Sequence, residues 1–234
     1  MPETILLSIL PFVFGAVVGS FLNVCIYRIP LGLSIVSPPS SCPNCGAAVP
    51  FYLNVPILSY IVLRGRCSSC KAPFSARYPL VEAVTGLMAA FTFIKFGASI
   101  DALIYFAFIC ALIVITFIDL DQQIIPDVIS LPGIALGFAA SFVLLDLSVI
   151  DSLIGLAFGG GILYLIAFGY HLITGQEGMG GGDIKLLAMI GAFLGWKGVL
   201  LTLLLSSFTG AITGGVLMYA FGKGARHAIP FGPF

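Results

Sequence analysis

The chain is predicted to fold as an all-α, polytopic membrane helix bundle with a small cytoplasmic zinc-binding module set after its first span. Three observations predict this. Hydrophobic residues make up 59% of the 234 and charged residues only 9%, with a mean hydropathy of +1.14, far outside the range of a water-soluble domain. Apolar runs approaching the ~20 residues that cross a bilayer recur along the chain, bounded by charge, Gly or Pro. Four of the six cysteines stand as two C-x-x-C pairs within one long polar stretch. The net charge is zero, so the charge balance calls for no nucleic-acid partner; lipid is the expected surrounding.

Residues 5–27 form the first apolar run, which is too long for a signal-peptide core and has no positive leader, so it reads as a spanning helix. It closes on Gly19-Ser20-Phe21-Leu22-Asn23, where small residues permit close packing and Asn23 reads as an amide bonding across helices, and Pro30 stops it. Composition divides the chain into this helix (1–30), a soluble module (31–78) and a transmembrane bundle (79–234). Within the module, Cys42-Pro43-Asn44-Cys45 and Cys67-Ser68-Ser69-Cys70 are two knuckles about twenty residues apart, and Cys42, Cys45, Cys67 and Cys70 have the reach of one tetrahedral zinc. A redox pair or free thiols are the alternatives. Four thiolates leave no open position, so the metal is expected to be structural and to supply much of the folding free energy of so small a module. Cys25 and Cys110 lie in apolar runs and read as small hydrophobes.

Arg28, Arg64, Arg66, Lys71 and Arg77 share a segment that contains no Asp or Glu, which the positive-inside rule assigns to the cytoplasm. Residues 54–60 are too short to span and read as interfacial, while Arg77 and Glu82 read as a local ion pair. Further runs at 80–96, 102–118, 128–145, 152–173, 184–196 and 199–221 bring the expected spans to seven. With the N-terminus outside, the module, the 119–127 turn, the 176–183 turn and the 223–227 end all fall inside. Eight of the ten Lys and Arg then lie inside, with only Lys95 and Lys197 outside.

This topology brings Asp119 and Asp183 to the same face. Asp183 ends the run Gly180-Gly181-Gly182. Glycine lets backbones approach closely, and an acid beside a membrane span is a functional candidate by default. Two carboxylates with an activated water suggest acid–base hydrolysis of the aspartic-protease kind. Near the first acid, Asp121 and Asp127 read as solvated turn residues or caps. Asp183 also suits an N-cap, yet a plain cap does not require three glycines before it. The helix macrodipole disfavours a carboxylate at Asp119 and favours one at Asp183, so the shared proton is expected to rest more on Asp119. Asp183, helped by the charge of Lys185, is then the base toward water; snorkelling to head groups is the other reading of Lys185.

Taken together, Gly19 to Asn23, both C-x-x-C pairs, Arg77-Tyr78-Pro79 with Glu82, Ile118-Asp119 through Pro126-Asp127, and Gly180-Gly181-Gly182-Asp183-Ile184-Lys185 resemble the type IV prepilin peptidase (leader peptidase/N-methyltransferase) family. Gly180, Gly182 and Asp183 fit the G-x-G-D pattern of intramembrane aspartyl proteases. The resemblance implies a multi-pass enzyme of the bacterial inner membrane, working on its cytoplasmic side. Such an enzyme removes the short basic leader of prepilins or pseudopilins and, in many members, methylates the new amino terminus from S-adenosylmethionine. It implies Asp119 and Asp183 as catalytic acids and the four module cysteines as metal ligands. It also implies that the pattern continues past Phe234 into one more apolar helix. No G-x-G-x-x-G follows a strand, so methyl transfer rests on the resemblance alone; the donor is expected near the module, with Glu82 a candidate partner for its positive charge. The rival reading is an ion- or proton-coupled transporter, which explains the acids and glycines but gives the cysteine module no use.

Overall fold

A hydrocarbon-rich run satisfies its backbone within itself, without water, only as a helix, and the computed structural model, which describes residues 2–176, 179–221 and 232, turns these runs into helices. In order these are α1 (Pro2–Arg28), a short 3-10 turn (Phe51–Leu53), α2 (Leu58–Val62), α3 (Arg77–Phe96), α4 (Ile100–Gln122), α5 (Asp127–Ala140), α6 (Val149–Thr174) and α7 (Gly181–Phe221). No strand occurs among the described residues beyond two isolated bridges.

Five of these helices are long and apolar enough to cross a membrane, where the sequence suggested seven spans. Two differences account for the gap. The run at 128–145 yields only the 14-residue α5, which ends at Ala140 with Ser141 as its C-cap. The runs at 184–196 and 199–221 do form two helices, but these join directly at Gly195 (φ 69°, ψ −179°, a backbone state that is essentially glycine's alone), so that together they make up the single long element α7. The basic 223–227 end lies outside the described residues.

Contacts divide the chain into two compact units, residues 1–114 and 115–234. In the first, α1 packs on α3 through missing side chains: a Cβ at Gly15 would lie 2.5 Å from that of Ala89, and one at Gly19 would lie 2.8 Å from the Cα of Glu82. Asn23 donates its amide to the Tyr78 carbonyl at 3.1 Å, the cross-helix bond expected of it.

In the second unit, α7 is the common partner of α5 and α6. Gly155 and Gly191 meet backbone to backbone, with Ser152 donating its hydroxyl to the Ala192 carbonyl at 2.7 Å alongside. Any Cβ at Gly191 would strike the Gly155 carbonyl, and neither backbone is the flexible end of a side chain. Gly191→Val is therefore expected to destabilise by about 3 kcal/mol or more. Gly161→Ala, with open space around it, is expected to be neutral or slightly stabilising, and thermal unfolding in detergent checks the contrast.

Capping fixes where α6 starts and stops. Ser148 accepts the Asp151 N–H at 3.0 Å at its start, and Gly175, left-handed at φ 67°, closes its end on the His171 carbonyl.

Candidate active site and metal centre

Asp119 lies in the last turn of α4 and is buried, 4% exposed. One turn later the helix is closed by Gln123, which has a positive φ of 54° and whose N–H donates to the Asp119 carbonyl at 2.9 Å. The side chain is held as well: the N–H of Gly232 donates to Oδ2 at 2.7 Å. A Cβ at position 232 would stand 2.9 Å from that oxygen, so glycine is what lets the backbone come so close. Sequence reasoning did not single out Gly232. Its signal was the Pro230-Phe231-Gly232-Pro233 run, in which a glycine between prolines marks a shaped turn.

Asp183 sits in the first turn of α7, with its N–H on the Gly180 carbonyl at 3.2 Å. Its carboxyl and that of Asp119 are close enough to act on each other electrostatically although 64 residues separate them. The glycine run explains the approach in part. A Cβ at Gly182 would meet that of Ile125 at 2.8 Å, so the start of α7 seats directly on the loop that follows α4. Gly180 and Gly181 carry no such steric demand: a Cβ at Gly180 would make only ordinary contact with Asp183, and Gly181 has open space.

Lys185 differs from its expected role. Its Nζ binds both carboxylate oxygens of Asp127 at 2.7 Å, so its charge is directed to that acid, and Asp127 is an ion-pair partner as well as the first residue of α5. The pair ties the start of α7 to the start of α5. With side chains 36% and 55% exposed, it is worth about 0–1 kcal/mol.

Glu82, in α3, is 8% exposed and its carboxylate accepts the Ile57 N–H at 2.7 Å and the Ser20 hydroxyl. The donor at Ile57 is unusual, since this β-branched residue holds φ 62° and ψ −51°. No sequence signal points to a left-handed isoleucine.

The four module thiols converge. The sulfur atoms of Cys42, Cys45, Cys67 and Cys70 lie within 4.8 Å of one another and could hold a metal ion. Both knuckles have the same build: the first Cys N–H bonds a carbonyl five residues on (Ala47, Ala72), and the residue after the second Cys is left-handed (Gly46 φ 71°, Lys71 φ 60°). Cys42 Sγ and Cys70 Sγ are 3.8 Å apart, far beyond a ~2.05 Å disulfide bond. It is the separation of about 3.8 Å that two ~2.3 Å zinc–sulfur bonds at a tetrahedral angle produce. Backbone hydrogen bonding prepares two of the ligands: the Ala72 amide, with Asn44, pulls the Cys70 thiol down to about 6, and the Cys70 and Ser69 amides lower Cys67. At Cys45 the Ala47 amide acts in the same sense but is outweighed by burial and the neighbouring sulfurs, which raise it to about 11. A cation among the sulfurs reverses that cost.

Residues 13–96 match the bacterial peptidase A24 N-terminal domain and residues 106–215 the type IV leader peptidase family. A Pseudomonas putida protein named prepilin leader peptidase/N-methyltransferase is 40% identical over 95% of this chain and 85% of its own. The Pseudomonas aeruginosa protein of the same name is 40% identical over 94% and 84%, and that of Aeromonas hydrophila 37% over 96% and 86%. No solved structure matches the chain.

Proposed function

Because the chain belongs to the type IV leader peptidase family, we propose that it is a membrane-embedded aspartic endopeptidase which removes the leader of prepilins or pseudopilins and N-methylates the amino terminus so exposed. The observation that carries the proteolytic half is the meeting of Asp119 and Asp183 at the ends of α4 and α7, with Gly182 seated on Ile125. Such a pair holds a water between two carboxyl groups that cannot both ionise easily. Asp183, at the positive end of a helix dipole, takes a proton from that water as its oxygen adds to the scissile carbonyl carbon. Asp119, with Oδ2 fixed by Gly232, gives the proton on Oδ1 to the carbonyl oxygen. Collapse of the tetrahedral intermediate returns the carbonyl, breaks the C–N bond and sends the Asp183 proton to the leaving amine. Asp119 recovers its own proton in the same collapse, so one water is consumed and both acids end as they began.

The four-cysteine module is assigned a structural zinc, as its closed thiolate set and 3.8 Å sulfur spacing suit. The bacterial inner membrane, with module and acids on the cytoplasmic side, is the location assigned, on the charge distribution of the loops. Nothing among the relatives favours the transporter reading.

The test is to incubate the purified protein in detergent with a leader-bearing pilin and a methyl-labelled donor. Expected are a leaderless product and label on its amino terminus; an intact pilin would sink the proteolytic reading. Two variants qualify the site. Asp127→Asn removes only the exposed pair with Lys185 and is expected to keep most of the cleavage rate. Gly232→Ala pushes a methyl group against Oδ2 of Asp119 and is expected to slow cleavage by about 10- to 100-fold, as a misplaced catalytic group does.

A further inference from the structure

Within the first unit lies a cavity of about 340 Å³, walled by the end of α1, the start of α3, α2 and the loops before and after it. Its size falls in the range of about 300–1,000 Å³ that small-molecule sites occupy. Its lining mixes aromatic and aliphatic side chains, Tyr60 and Phe74 among them, with many polar ones, of which Glu82 is the buried one. The Glu82 carboxylate is engaged by two neutral donors, the Ile57 N–H and the Ser20 hydroxyl, so acceptor capacity remains on an anion taken largely out of water. A buried carboxylate is stabilised most by a cation.

The wall beside it is strained. Ile57 is the centre of a γ-turn closed by the Leu58 N–H on the Pro56 carbonyl at 2.5 Å, a conformation that is rare and strained for a β-branched residue. That turn aims the Ile57 N–H at Glu82. Strain of this kind persists where surrounding structure enforces it, and it collects at ligand sites. Of the two arginines in the lining, Arg28 is committed to the Ser34 and Pro38 carbonyls at 2.9 and 2.7 Å, while Arg66 carries a charge suited to a ligand carboxylate.

We infer that this cavity is the methyl-donor site: it takes the sulfonium nucleoside S-adenosylmethionine, with Glu82 facing the sulfonium charge, Arg66 the amino-acid carboxylate, and Tyr60 or Phe74 against the adenine. This rests on the methyltransferase half of the proposed function. In the transfer the lone pair of the neutral amine forms the N–CH3 bond, the S–CH3 pair returns to sulfur as a neutral thioether, and the ammonium product sheds its proton to water. Glu82 stabilises the donor, whose charge is lost in the step, so its contribution is to binding and orientation.

Equilibrium dialysis of radiolabelled S-adenosylmethionine against the full chain in detergent reads the site without turnover. The unmodified protein is expected to bind donor. Glu82→Gln keeps the side-chain shape, removes the charge, and is expected to weaken donor binding by at least about tenfold while changing affinity for the product S-adenosylhomocysteine, whose sulfur is neutral, by less than about threefold. Ser59→Trp fills the cavity from α2 without removing a partner of Glu82, and is expected to abolish binding of both ligands; it keeps the test decisive if Glu82→Gln does not fold. Donor binding that neither variant alters overturns the site, and label transfer by the unmodified protein to a leaderless pilin then leaves the methyltransferase reading standing. If the unmodified protein neither binds donor nor transfers label, both fall.

Discussion

Replacing either Asp119 or Asp183 with Asn is expected to abolish leader cleavage, a loss of about 10²–10⁴-fold or more in rate for each. The substitution keeps size and one carbonyl oxygen, so in Asp119→Asn the amide oxygen can still accept the Gly232 N–H that Oδ2 accepts in the unmodified protein. What disappears is the ability to give or take a proton, and neither member of an acid–base pair can do the other's part. Insertion and metal content should therefore be unchanged while turnover stops. Asp121→Asn and Asp127→Asn provide the contrast and should retain measurable cleavage. Indispensability of Asp121 together with dispensability of Asp119 would move the catalytic acid by two residues along α4.

The second large effect is expected at the module. Cys42→Ser removes one thiolate from a set of four whose sulfurs lie within 4.8 Å, and Cys42 is the buried anchor of the first knuckle, 2% exposed. Around the cysteines there is little other core: among the described residues of the module, Cys42 and Cys67 carry its buried side chains, and the 3-10 turn and α2 are three and five residues long. Apparent zinc-binding free energies of about 10–16 kcal/mol in comparable small sites show what such a module loses with its metal. Bound zinc, measured by elemental analysis, should fall from about one per chain to near zero, and limited proteolysis should open the chain between residues 40 and 75. A variant that lost zinc yet resisted protease as the unmodified protein does would show that the module folds without it.

Much of this was legible because the chemistry sits in short, local patterns. Two C-x-x-C knuckles carry their own spacing, and the structure gives both the same turn. Asp119 and Asp183 could be named because a glycine run precedes one and the motifs of the resemblance include both, and the expected topology put them on one face. The misses are contacts that no local pattern encodes. Gly232 reaches Asp119 across 113 residues. Lys185 chooses Asp127, 58 residues away, over Asp183, two residues away, because α5 starts where α7 starts. The three glycines looked equivalent in sequence, but only Gly182 faces a neighbour, Ile125, that forbids a side chain. Span counting failed for a related reason. Hydropathy sees 128–145 as one run, whereas the helix ends inside it at Ala140, and it separates 184–196 from 199–221 without showing that the two helices join directly at Gly195.

Whether Asp119 and Asp183 act together on one water is tested most directly with a pilin-derived peptide whose scissile amide is replaced by a hydroxyethylene group, a stable mimic of the tetrahedral intermediate. Its hydroxyl occupies the place of the attacking water between the two carboxyls, and analogues of this kind bind about 10²–10⁸-fold more tightly than substrate. The predicted result is tight binding to the unmodified protein, weakened by about 100-fold or more in both Asp119→Asn and Asp183→Asn. Binding that either variant leaves at the unmodified level would contradict a shared site.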